Sequence, residues 1–224
     1  MDYNYKIINM CESKLYPDQP EYLNSFSALY MCYISLSYLF KPSKYRISHS
    51  IAILYWCIFM NGIGSFLYHW HGWYIFKLLD EFTMIIPVWI GISKILYNLN
   101  YSIYYTGVFT IFNIIILILD VFIWFQDYFA LMFAIELITI IPLYYKALEF
   151  KSDKLSVGLR GITICCGSGL LWVIIEANCN KYLIFGHSIW HIGMSTGLCY
   201  IIEYFKNLEN RTTLLPKQRN IHND

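Results

Sequence analysis

Three histidines, a serine and an aspartate stand in otherwise apolar sequence. Ser65 and His69 are four residues apart, Asp80 follows eleven residues later, and His187 and His191 are again four apart. Imidazoles and carboxylates are costly in apolar surroundings, so each asks for a partner or a task. On a helix, residues four apart share a face one turn from each other. His187 and His191 would therefore present two imidazoles to one point, and Ser65 would lie one turn from His69. Three nitrogen donors suit a catalytic zinc ion, which keeps a fourth position open for water and lowers the pKa of that water to about 7. Beside it, Ser65 could hydrogen-bond a developing oxyanion. Asp80 could take a proton from water and pass it to a leaving group. The predicted chemistry is metal-assisted hydrolysis.

Each residue alone has a plainer reading. Ser65, next to Gly62 and Gly64, is a small residue suited to close helix packing. Asp80 and Glu81 could form an interfacial pair answered by Lys77 or Arg160. A histidine pair at this spacing is weak evidence of metal by itself. Their joint placement favours the metal. His71, two residues after His69, would point elsewhere on a continuous helix, but a turn there keeps it in contention.

The surrounding elements are apolar. Of 224 residues, 58% are hydrophobic and only 14% charged, against about a quarter charged in soluble domains. The net charge of +1 implies no polyanionic partner, so nucleic acid is not expected, and no protein partner can be read from the chain. The seven cysteines show no CxxC or zinc-finger spacing. The first twenty residues carry no cleavable signal pattern, so the first membrane helix would do the targeting. Seven stretches approach the ~20 residues that span a bilayer: 23–40, 47–68, 75–97, 101–124, 128–145, 158–179 and 184–205. The predicted fold is all-α, a seven-transmembrane helix bundle at 23–205. A segment at 1–22 would precede it and a polar tail at 206–224 would follow.

Basic residues orient this bundle. Lys41, Lys44, Arg46, Lys94, Lys146, Lys151, Lys154, Arg160, Lys206, Arg211, Lys217 and Arg219 fall on one side, twelve of sixteen. That side should be cytosolic and hold the C-terminus, with the N-terminus lumenal or extracellular. The sequons at Asn100 and Asn210 would then face the cytosol and carry no glycan. Alternation of the spans brings His69, Asp80, His187 and His191 to the same, non-cytosolic face. Asp120, Glu136 and Glu176 are further acids inside spans without an assigned task, and Glu203 sits near the cytosolic face. A retinal-binding protein is disfavoured because the last span has no central lysine. A channel is disfavoured because the polar residues gather at one face.

The stretches Cys11-Glu12, Glu21-Tyr22-Leu23-Asn24-Ser25, Gly62 to His69 running on to Leu78-Leu79-Asp80-Glu81-Phe82-Thr83-Met84, and His187-Ser188-Ile189-Trp190-His191 resemble the alkaline ceramidases. These lie within a superfamily of seven-span hydrolases that includes the adiponectin-type receptors and the Per1-like enzymes. The resemblance implies that His69, His187 and His191 bind zinc and that Ser65 and Asp80 assist catalysis. It implies hydrolysis of ceramide to a sphingoid base and a fatty acid, in an endoplasmic reticulum or Golgi membrane. The alternatives are a related hydrolase of an ester-linked or GPI-anchor lipid, and a non-catalytic receptor that keeps the metal. The resemblance also implies a calcium site at Asn9, Glu12 and Glu21. Here, however, Asn9 stands where the family has a carboxylate, Lys14 replaces an asparagine, and the segment to Glu21 is about two residues short. Fewer carboxylates and an added ammonium weaken calcium binding. Lys14 would then replace the ion by pairing with Glu12 and Glu21, or simply face solvent. Trp70 and His71 replace smaller or more polar residues at the pocket mouth. The family alignment also suggests a disulfide from Cys11 to Cys179, in an oxidising compartment.

Overall fold

The computed structural model describes residues 10–42, 47–98, 103–121, 142 and 155–219. Asn9, Glu136, Asn100 and nearly all of the predicted fifth span lie outside these residues. Among them the chain is helical without strands: α1 (Cys11–Leu15), α2 (Tyr22–Leu39), α3 (His49–His71), α4 (Tyr74–Asn98), α5 (Ile103–Val121), α6 (Leu155–Ala177) and α7 (Gly186–Arg219). Each of the six long helices overlaps a predicted span. The last runs on to Arg219, so residues 206–219, expected as tail, continue the helix.

Local chemistry sets the helix ends. The Ser48 side chain caps α3 by accepting a hydrogen bond from the Ile51 amide. At the other end Gly72 takes the left-handed conformation, φ 70°, and its N–H bonds the Tyr68 carbonyl at 2.6 Å. A glycine just past the last helical residue stops the helix without Cβ strain. The chain therefore reverses over Gly72 and Trp73, and the end of α3 meets the start of α4.

The α3 helix packs between α2 and α4, α2 also packs on α7, and α6 lies along α7. Glycine permits the α3 contacts. A Cβ on Gly62 would lie 2.7 Å from Cys32 Sγ and 2.9 Å from the Ala28 carbonyl of α2, and one on Gly64 would lie 3.0 Å from the Asp80 amide of α4. The two glycines thus flank Ser65 with close neighbours on both sides. The main core joins α2, α3, α4 and α7 through Ala28, Ile51, Tyr55, Ile58, Ile95, Cys199 and Ile202.

Among the described residues two helices, His49–His71 and Val157–Ala177, are long and apolar enough to cross a membrane, and Ile103–Leu119 is apolar but shorter. The α4 helix has the length, but Lys77, Asp80, Glu81 and Lys94 dilute its hydropathy. Far from the histidines, α3, α4 and α7 are joined by polar contacts. Ser48 donates to Glu209 at 2.6 Å and Lys94 pairs with Glu209, while within α7 the buried Lys206 bonds Glu203 at 3.2 Å.

Candidate metal centre

His69 ends α3, while His187 and His191 occupy the first turns of α7. Their ring centroids are 4.9 Å (His69–His187), 5.2 Å (His69–His191) and 4.5 Å (His187–His191) apart. One ligand atom from each lies within 4.8 Å of the others, and all three rings are buried. His69 Nε2 and His187 Nδ1 are buried with no hydrogen-bond partner. Buried polar atoms normally find partners. Two orphaned ring nitrogens in one cluster fit a metal ion bound between them. His71 is exposed and packs its ring near Trp73 and Phe76, outside the cluster.

Ser65 sits one turn before His69, 1% exposed, with its hydroxyl 3.1 Å from His191 Nε2. The same hydroxyl lies within reach of the Asp80 carboxylate. Asp80 is held from a second side by Asn61, whose Nδ2 donates to Asp80 Oδ1 and to the Asp80 carbonyl, both at 2.8 Å. Asn61, Ser65 and His69 recur every four residues, so one face of α3 carries all three. Neighbouring Glu81 is engaged elsewhere, by Lys77 at 2.6 Å. Asp80 lies beside Ser65 and the histidine cluster.

The N-terminal segment is tied to the same end of the bundle. Cys11 and Cys179 form a disulfide with Cα atoms 5.5 Å apart. The Cys11 amide donates to Glu176 Oε2 at 2.8 Å, which gives this acid of α6 a partner in α1. Glu12 accepts the Leu23 and Asn24 amides at 2.9 and 3.1 Å, so its carboxylate caps the start of α2. Burial pushes its carboxyl above the usual range, against the pull of those two N–H groups. Glu21 Oε2 accepts from Asn24 Nδ2 at 3.1 Å and from His69 Nδ1 at 2.5 Å. The pairing of Lys14 with Glu12 and Glu21 does not occur among these contacts. Lys14 is exposed, and its charge acts on Glu176.

Three residues close to the cluster escape a reading of spacing alone. Asn61 holds Asp80, Ser27 lies 2.8 Å from His191 Nδ1, and Asn24 bonds both Glu21 and Ser188. Asn61 precedes Ser65 by four, and Glu21, Asn24 and Ser27 recur every three, but ordinary helix packing uses the same spacing and so does not mark them.

The family model for ceramidase matches residues 6–221. The chain belongs to the ceramidase family. It is a hydrolase acting on the amide bond of ceramide, an activity of lipid metabolism. No curated protein matches the sequence. The histidine triad of this ceramidase could hold a metal ion.

Proposed function

We propose that the protein is a zinc-dependent, multi-pass membrane amidase that hydrolyses ceramide to a sphingoid base and a fatty acid at the non-cytosolic face of an endoplasmic reticulum or Golgi membrane. The observation that carries this reading is the buried triad His69, His187 and His191 with Ser65 and Asp80 beside it. Three histidine nitrogens are the donor set of catalytic rather than structural zinc. When bound, the ion supplies Lewis acidity that activates water and polarises a carbonyl oxygen.

The protein's own groups do the rest. Asp80, held by Asn61, takes the proton released by the attacking water on its carboxylate oxygen. It then delivers that proton to the leaving nitrogen of the sphingoid base. The Ser65 hydroxyl, 3.1 Å from His191 Nε2, would donate to the oxyanion that develops on the amide carbonyl. Burial of the cluster keeps bulk water from weakening these interactions.

Exposed apolar side chains support a lipid setting. Ile103, Ile111, Ile114 and Ile118 on α5 and Leu170 and Val173 on α6 are each about half exposed or more, an arrangement costly in water. A seven-span bundle with a cytosolic C-terminus agrees with the basic-residue bias. The Cys11–Cys179 disulfide agrees with an oxidising compartment on the site's side. Glu12 and Glu21 spend oxygens on protein donors, so the calcium-type site at Asn9, Glu12 and Glu21 is not required, and activity should persist under a calcium-selective chelator. Strict calcium dependence would overturn that part.

The test is metal analysis and hydrolysis of labelled ceramide by the purified protein, with His191→Ala as control. One zinc per chain and turnover lost in the variant are expected. No zinc in the wild type, or equal turnover by both proteins, would refute the reading.

A further inference from the structure

We infer that the start of α2 is the outer hydrogen-bonding layer of the metal centre: Glu21 and Ser27 are positioning residues that fix the tautomers of His69 and His191, and Asn24 braces them. This rests on the metal reading above. Glu21, Asn24 and Ser27 are three residues apart, so they form one stripe facing the cluster.

The proton assignments follow from what each group can donate. A carboxylate oxygen of Glu21 takes the acceptor's part in its contact with the His69 ring. Its 2.5 Å contact therefore puts the His69 proton on Nδ1 and leaves the lone pair of the unpartnered Nε2 for a metal. Ser27 has one hydroxyl proton, and it goes to the Asn24 carbonyl at 2.9 Å. The Ser27 oxygen must then accept from His191 Nδ1–H at 2.8 Å. His191 Nε2 is left as an acceptor, facing Ser65 at 3.1 Å. Asn24 is fully buried. It donates to Glu21 at 3.1 Å and accepts from the Ser188 hydroxyl at 3.1 Å, beside His187.

Two of the three histidines are thus oriented by α2, a helix that contributes none of them. The N-terminal segment sets where α2 begins, because Glu12 takes the Leu23 and Asn24 amides and the Glu21 amide bonds the His69 carbonyl at 3.1 Å. Outer-layer partners that fix a histidine's tautomer typically carry 10–100-fold in metal affinity.

The experiment measures zinc affinity of the purified full-length protein by competition with a chromophoric chelator, alongside thermal unfolding of the metal-free form. Glu21→Gln and Ser27→Ala should each weaken zinc binding by roughly 10–100-fold, with the metal-free melting temperature unchanged. Ser27→Thr, which keeps the hydroxyl, should restore wild-type affinity. Ser25→Ala should leave affinity unchanged, because the buried Ser25 hydroxyl has no partner. Wild-type affinity in both Glu21→Gln and Ser27→Ala overturns the inference and leaves the zinc reading intact. So does a weakening that Ser27→Thr fails to restore and that falls in step with metal-free stability. A wild-type protein that binds no zinc overturns both.

Discussion

Asp80 accepts from Asn61 and lies beside Ser65 on the same face of α3, while its neighbour Glu81 pairs with Lys77. Asp80→Asn keeps the shape but cannot accept the proton, so the rate should fall by about 10²–10⁴ while zinc stays bound. A loss of zinc in that variant would make Asp80 a ligand or a structural support. Ser65→Ala should cost about 10²–10³ in kcat, again with zinc retained. Asn61→Ala should lower kcat with little change in KM, because it loosens the proton carrier without touching the lipid. The spacing of Ser65, His69, Asp80, His187 and His191 was enough to propose these roles. Asn61, Asn24 and Ser27 were not legible in that way. A buried amide or hydroxyl is also what ordinary helix packing uses, and only the partner across the interface distinguishes the two.

Helix positions depend on close approach, and the glycines of α3 are where it is tightest. Gly62→Val would drive methyl groups into Cys32 and the Ala28 carbonyl, which α2 cannot yield without moving Ser27. Overpacking of this kind costs about 1–3 kcal/mol, so the melting temperature should fall, and zinc affinity should fall with it because α2 shifts. Normal zinc affinity in a destabilised variant would uncouple α2 from the site. The Cys11–Cys179 bridge closes a separation of 168 residues. Its removal by Cys179→Ser should destabilise the protein by about 2–5 kcal/mol, read as a lower unfolding temperature that reductant no longer changes. Helix existence was readable, since apolar runs of span length leave few alternatives. The continuation of α7 to Arg219 was not, because residues 206–219 are polar enough to suggest a tail. Its early part is held by tertiary contacts, because Glu209 meets Ser48 of the α3 cap and Lys94 of α4.

At the scale of the molecule, polarity is distributed by end: the histidine cluster lies at one end of the bundle and the Glu203, Lys206, Glu209 and Lys94 contacts at the other. In sealed microsomes a tag after residue 224 should be digested by added protease, while one before residue 1 is protected; the reverse would invert the orientation drawn from the basic residues. The sequence by itself determined the helical class, the apolar setting, the family and the five residues whose types and spacing suit hydrolysis, since periodicity and composition are local properties. Only the tertiary structure decided which nitrogens are left for a metal, that Glu21 turns to His69 while Lys14 faces outward, and that α2 braces the site. Those depend on contacts between residues up to 164 positions apart, formed when helices pack, and no local pattern encodes which side chain will stand opposite another.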